Sequence, residues 1–305
     1  MNKKYYGVIP PIITPVDTHE NVDETGFRSL IDHCIDGGLH GIFVAGSNGE
    51  CMALTQKERD NAIRIAVDQS GSRVPVMAGV MDSSTRRVID NIKKLEQLGG
   101  KCAVITSIFY ARHTSQNETI RHFEQISKET NIDLMVYNIP MFTNLDLTVN
   151  TMKEIAKFDR VVGIKDSSGN FAAFQQLLTY FADTDFSVLQ GTTAYAMVSM
   201  LLGADGFVPS IAPVFPQLFV EAFEAGRSNN IELAMKYDVL LRETSKILGM
   251  TKNATSANKF AISTLGYTDK RVIAPQDSIL PEEENNIIAK IAEVEKMHVA
   301  LKASL

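Results

Sequence analysis

The sequence predicts an α/β protein built as a closed (β/α)8 TIM barrel with a C-terminal three-helix extension. Eight short apolar, β-branched runs recur along the first three-quarters of the chain, and each gap between them can hold one helix. Strands that alternate with helices pair in parallel, because every crossover helix returns the chain to the same end of the sheet. Eight such units within 305 residues point to closure into a barrel more than to an open sheet. The runner-up, a doubly wound sheet, lacks a Gly-x-Gly-x-x-Gly after any early strand, so a dinucleotide site is without its usual fingerprint.

The predicted strands are residues 8–13, 41–45, 74–80, 102–106, 134–139, 161–165, 187–190 and 206–210. Helix starts between them are marked by Asp23, Ser84 and Thr148 as N-caps and by Thr55-Gln56-Lys57-Glu58 as a capping box. Gly37-Gly38 and Gly99-Gly100 follow amphipathic segments and suit left-handed C-caps. Beyond residue 228 the strand pattern stops, and 231–248, 255–265 and 281–300 read as helices packed on the barrel or on a partner chain. The expected division is a catalytic barrel over 1–227 and a helical extension over 228–305.

Composition excludes several classes of function. The chain is 45% hydrophobic and 22% charged, which fits a globular protein with a full core. Its formal charge of −6, without a long basic run, argues against a nucleic-acid surface. No uninterrupted apolar stretch reaches the roughly 18 residues of a membrane span. The basic start Met1-Asn2-Lys3-Lys4 has no apolar segment behind it, which argues against a secretory signal. Cys34, Cys51 and Cys102 are odd in number and far apart, so reduced thiols in a cytoplasmic protein are expected. The six histidines are scattered without metal-ligand spacing, and neither a metal nor an organic cofactor is expected.

Lys165 is the most informative position. It ends the buried run Val161-Val162-Gly163-Ile164-Lys165, and a lysine is almost never buried without a partner. An amine in an apolar pocket loses the hydration that favours its charged form, and free amines form Schiff bases with carbonyl substrates. On the run alone, an ordinary strand-end lysine that snorkels to solvent is the more frequent outcome. The odds change with what falls at the other strand ends, where barrel enzymes collect their catalytic groups.

After the second strand comes Gly46-Ser47-Asn48-Gly49-Glu50, whose backbone N–H groups and hydroxyl can cradle a carboxylate or form a plain turn. Ser107-Ile108-Phe109-Tyr110 follows the fourth strand; its aromatics line a pocket or cap the barrel, and residues alone do not separate the two. The fifth strand ends Tyr137-Asn138-Ile139-Pro140, with a phenol that transfers protons or simply packs. Gly191 follows the seventh strand, and Val208-Pro209-Ser210 closes the eighth. An anion cradle, a phenol and a desolvatable amine on one face are the parts that Schiff-base chemistry on an α-keto acid needs.

At these residues the chain resembles the dihydrodipicolinate synthase and N-acetylneuraminate lyase superfamily of pyruvate-dependent aldolases. The resemblance runs from Gly7-Val8-Ile9-Pro10 and Thr14-Pro15 to the C-terminal helices. Its motifs are Gly46-Ser47-Asn48-Gly49-Glu50, Tyr137-Asn138-Ile139-Pro140 and Gly163-Ile164-Lys165-Asp166. It implies Lys165 as the Schiff-base lysine, Tyr137 as the proton-transferring phenol, and Ser47 and Asn48, with Gly49, as contacts to the pyruvate carboxylate. It further implies that Tyr110 reaches across a tight dimer interface into a neighbouring site, within a homotetramer built as a dimer of dimers. Gly191, Val208 and Thr143 are expected to complete the substrate site.

Departures from the pattern bear on the substrate. A dihydrodipicolinate synthase usually carries two adjacent threonines where Ser47-Asn48 stand, and an arginine where Phe142 stands. Phenylalanine offers no fork for an acceptor carboxylate. Sialic acid lyases carry acidic residues where this chain has Gly191-Thr192-Thr193-Ala194. The main expectation is therefore an aldolase acting on a 2-keto-3-deoxy sugar acid, with Thr143, Ser167, Thr192 and Thr193 as neutral contacts or ordinary turn residues. The alternative is 4-hydroxy-tetrahydrodipicolinate synthase, condensing pyruvate with aspartate semialdehyde. N-acetylneuraminate lyase and a non-catalytic keto-acid binder stand behind both.

Overall fold

The computed structural model describes residues 3–228 and 230–305; Met1 and Asn2, where the basic start begins, lie outside the described residues. Its strands are β1 (Gly7–Val8), β2 (Ile42–Val44), β3 (Val76–Gly79), β4 (Cys102–Thr106), β5 (Asp133–Asn138), β6 (Val161–Asp166), β7 (Ser187–Gln190) and β8 (Gly206–Phe207). All pair in parallel in the order β1-β8-β7-β6-β5-β4-β3-β2. A parallel bridge between Pro11 and Phe43 brings the chain after β1 against β2 and closes the ring.

The end strands are shorter than the pattern predicts, and proline is the reason. Pro10 and Pro11 have no N–H to donate to a ladder, so regular pairing stops at Val8. Two bonds still bind the segment to β2: Phe43 N donates to Pro10 O at 2.9 Å, and Ile12 N donates to Phe43 O at 3.0 Å. In the same way β8 stops before Pro209, although Val208 N still donates to Gln190 O at 2.8 Å.

The helices are α1 (Glu24–Asp36), α2 (Gln56–Ser70), α3 (Thr85–Gln97), α4 (Gln116–Glu129), α5 (Pro140–Thr143), α6 (Val149–Ile155), α7 (Phe171–Phe181), α8 (Ala196–Leu201), α9 (Pro216–Arg227), α10 (Ile231–Lys246), α11 (Ala254–Ser263) and α12 (Pro281–Ala303). The side chains of Asp23, Thr55, Ser84 and Thr148 accept from backbone N–H groups in the first turns of α1, α2, α3 and α6. The box expected at Thr55 is only half formed, because the Glu58 carboxylate turns away to accept from Val22 N at 2.8 Å. A complete box occurs instead at Ser115 and Glu118, opening α4.

Strand alternation sorts the core into two layers. Ile9, Phe43, Met77, Val104, Met135, Tyr137, Leu189 and Val208 fill the barrel interior. Val44, Ala78, Ile105, Val136, Ile164 and Val188 point outward into the layer beneath the helices. With both faces buried, the strands read as nearly continuous apolar runs. The outer layer also takes in Leu240, Ala257, Ile287 and Val294, so the C-terminal helices share it, α10 lying on α8 and α9 and α12 on α10 and α11.

Candidate active site

Inward alternation on β5 and β6 brings the phenol and the amine together. Tyr137 and Lys165 are register partners, and each is 4% exposed. Lys165 Nζ lies 3.9 Å from the centroid of the Tyr137 ring and 5.0 Å from that of Phe43. The amine is thus walled by aromatic faces, and no carboxylate among the described residues pairs with it. The adjacent Asp166 points the other way. Its carboxylate accepts from Asn138 Nδ2 at 2.8 Å and from the Ser168 N–H and hydroxyl at 3.0 and 2.7 Å. Burial raises the Asp166 pKa above the ordinary carboxylate range, against the lowering effect of those hydrogen bonds.

The carboxylate cradle is a single 3₁₀ turn over Ser47–Gly49, directly after β2. Non-glycine residues with left-handed backbones bracket it, Ala45 at φ 52 and Glu50 at φ 55. Gly79 at the end of β3 makes room for this bend, since a Cβ there would meet Ala45 O at 1.9 Å. The first N–H groups of such a turn have no partner within it. Ser47 N, Asn48 N and Ser47 Oγ are therefore available to an anion. The Asn48 side chain is not: its Nδ2 donates to Pro11 O at 2.5 Å and its Oδ1 accepts from Asn258 Nδ2 at 2.9 Å. Contact with a carboxylate would come from the Asn48 backbone.

The remaining residues separate into those at the mouth and those behind it. A cavity of about 700 Å³ is lined in part by Ser47, Thr106, Tyr110, Phe142 and Thr143. Thr106 is the register partner of Tyr137 on β4, which sets the cavity beside the Tyr137–Lys165 pair rather than over it. Tyr110 is 97% exposed in the single chain and has φ 66. The Thr143 hydroxyl lies 3.2 Å from both Ile139 O and Leu145 O and is committed to its own backbone. Gly191 sits where a Cβ would meet Ser167 Oγ at 2.0 Å, and its N–H donates to Asp166 O at 2.7 Å. Val208 is part of the barrel interior. Cys51 also lines the cavity, but burial pushes its thiol up to about 12, far from a thiolate nucleophile.

Sequence reasoning missed Thr106, Phe43, Asn258 and Lys259, and gave Glu50, though it stands in the quoted motif, no role of its own. One signal was available: Asn258-Lys259 interrupts the otherwise apolar stretch Ala257–Ile262. Among the described residues, no three His, Cys, Asp or Glu side chains gather as a metal site, and no helix is long and apolar enough to cross a membrane.

Comparison with known proteins finds relatives along nearly the whole chain, with the same fold. The model of the Dihydrodipicolinate synthetase family matches residues 4–294. A 4-hydroxy-tetrahydrodipicolinate synthase of Thermodesulfovibrio yellowstonii is 30% identical over 290 residues, covering 95% of this chain and 97% of the relative. The dihydrodipicolinate synthase structure from Bacteroides thetaiotaomicron superposes with a TM-score of 0.91 at 30% identity, covering 96% of this chain and all of that one. YagE, a prophage protein of the dihydrodipicolinic acid synthase family from E. coli solved in complex with pyruvate, gives 0.89 at 27% identity, covering 95% and 99%.

Proposed function

The chain belongs to the dihydrodipicolinate synthetase family, and from that premise we propose that it is a class I aldolase holding pyruvate as an imine on Lys165. The observation that carries this reading is the buried Tyr137–Lys165 pair on adjacent strands, with Lys165 Nζ 5.0 Å from the ring of Phe43 on β2, the strand that leads into the Ser47–Gly49 turn. Ser47 N, Asn48 N and Ser47 Oγ hold the pyruvate carboxylate. The free amine of Lys165 attacks the ketone carbon, and the carbinolamine loses its oxygen as water once that oxygen is protonated. The Tyr137 phenol relays these protons. The iminium then draws electrons from the methyl C–H bond, the proton leaves, and an enamine forms. Its terminal carbon attacks the aldehyde carbonyl, whose oxygen takes up a proton, and hydrolysis of the imine frees the product. Run backwards, the same steps cleave an aldol.

The names of the curated relatives support 4-hydroxy-tetrahydrodipicolinate synthase, with aspartate semialdehyde as the aldehyde, over the sugar acid expected from the sequence. A second reading, a neutral acceptor such as a 2-keto-3-deoxy sugar acid fragment, rests on Phe142. That side chain lines the cavity where a cation was expected, and the cavity's described lining contains no Lys, Arg or His. An acceptor carboxylate would find no counter-charge there within one chain. Steady-state kcat/KM for pyruvate with aspartate semialdehyde, set beside cleavage of 2-keto-3-deoxygluconate, decides between them. Turnover of the first alone supports the synthase; turnover of the second alone supports the sugar-acid aldolase. Pyruvate binding without turnover of either would leave the keto-acid binder.

A further inference from the structure

We propose that Asn258 and Lys259, on α11, are positioning residues for the pyruvate-carboxylate turn, so that the C-terminal helices help build the substrate site. This inference rests on the proposed binding of pyruvate at Ser47–Gly49. It concerns residues that touch no substrate and act through Asn48 and Glu50.

Two linkages reach the turn from behind. Asn258, fully buried, donates from Nδ2 to Asn48 Oδ1 at 2.9 Å and to Ser210 O at 3.3 Å. Asn48 in turn donates to Pro11 O, so one amide pair ties together the loops after β1, β2 and β8. Beside it, Lys259 Nζ forms an ion pair with Glu50, and both side chains are 0% exposed. The Glu50 carboxylate also accepts from Ile273 N at 2.8 Å. Thr14 Oγ1 completes the support by donating to Gly49 O at 2.9 Å.

Stability alone is a poor reason for such a pair. Desolvating two charges offsets most of their attraction, and apolar replacements of similar volume are often neutral or stabilising. Burial indeed pulls the Lys259 pKa below the ordinary lysine range, opposed by the Glu50 charge. What a buried, directional pair does supply is a fixed geometry. Here it is spent on a turn bracketed by two left-handed non-glycine residues, Ala45 and Glu50. Backbones of that kind persist only where the surroundings hold them. With Glu50 clamped by Lys259 and Asn48 by Asn258, the Ser47 and Asn48 N–H groups keep one direction before pyruvate arrives. That lowers the cost of binding the carboxylate.

The test measures the pyruvate half-saturation of the borohydride-trapped adduct on Lys165, together with its maximal yield, in wild type, Asn258→Ala, Lys259→Met and Glu50→Gln/Lys259→Met. Asn258→Ala is expected to raise half-saturation about tenfold at unchanged maximal yield. Lys259→Met, which leaves Glu50 buried and unpaired, is expected to raise it further than the double variant does. Thermal unfolding is measured alongside. Should Lys259→Met fail to fold, Asn258→Ala, which keeps the ion pair, decides alone. Half-saturation within about twofold of wild type in the folded variants, even with a lowered Tm, would reduce the linkages to a structural brace and overturn the inference. An untrapped wild-type enzyme would instead remove the imine reading beneath it, a failure distinguishable from the first.

Discussion

Replacing Lys165 with Ala removes the amine held against the Tyr137 and Phe43 rings, and is expected to abolish both turnover and the trapped pyruvate adduct. Tyr137→Phe keeps the ring against Lys165 but removes the proton relay. Its adduct should still form while kcat falls about 100-fold or more, as loss of general acid–base catalysis implies. An unchanged kcat would assign the protons to another group. Phe142→Arg places a bidentate cation in the cavity lining and should raise kcat/KM for aspartate semialdehyde about tenfold; no gain would show that position 142 does not meet the acceptor. At this scale the sequence was legible where burial and chemistry conflict within one short run. Lys165 at the end of an apolar strand is such a case, and Tyr137 follows once the barrel register is known. The Glu50–Lys259 and Asn48–Asn258 pairs were not, because their members lie on distant segments and only the closed barrel brings them together. The same distance explains why the expectation that Asn48 contacts the carboxylate did not foresee that its side-chain amide is held by Pro11 and Asn258.

Elements were legible in their existence and less so in their ends. The apolar runs marked all eight strands, but the N–H groups missing at Pro10, Pro11 and Pro209 shortened the first and last. N-caps at Asp23, Thr55, Ser84 and Thr148 were readable because capping is local chemistry; the reach of Glu58 to Val22 is not local and was not readable. The close approach of β3 to the bend before the cradle gives a prediction of its own. Gly79→Ala forces a Cβ against Ala45 O and is expected to cost about 1–3 kcal/mol in urea unfolding; full stability would mean that the bend yields freely. Helix α4 carries another. Burial, aided by His113 nearby, lowers the His122 pKa from 6.5 to about 3. Between those values the unfolded chain binds a proton that the folded chain does not, so stability falls as pH drops through that window. The steepest contribution is about 1.4 kcal/mol per pH unit. His122→Gln should flatten the loss of stability between pH 6 and pH 4 by about that slope. Equal slopes in the two proteins would contradict the assignment.

At the scale of the whole molecule, alternation within each strand explains why one sequence fills two cores. Inward residues pack the barrel and, at its mouth, present Tyr137 and Lys165; outward residues meet the helices. The C-terminal helices extend the outer core and send Asn258 and Lys259 back beneath the cradle. In the single chain Tyr110, Met141 and Phe142 leave an exposed apolar patch beside the cavity, at 97%, 80% and 55% exposure. We propose that a second copy covers it within a homotetramer. Sedimentation should then give about four times the 33.6 kDa chain mass, and a monomer mass would contradict that assembly. Whether Lys165 holds pyruvate as an imine is decided by incubating the protein with pyruvate and sodium borohydride, then measuring intact mass and mapping the modified peptide. An imine there gives one stable pyruvate adduct per chain, located on Lys165. Unmodified protein that is folded, beside an aldolase control that reacts, or an adduct on another lysine, would contradict it.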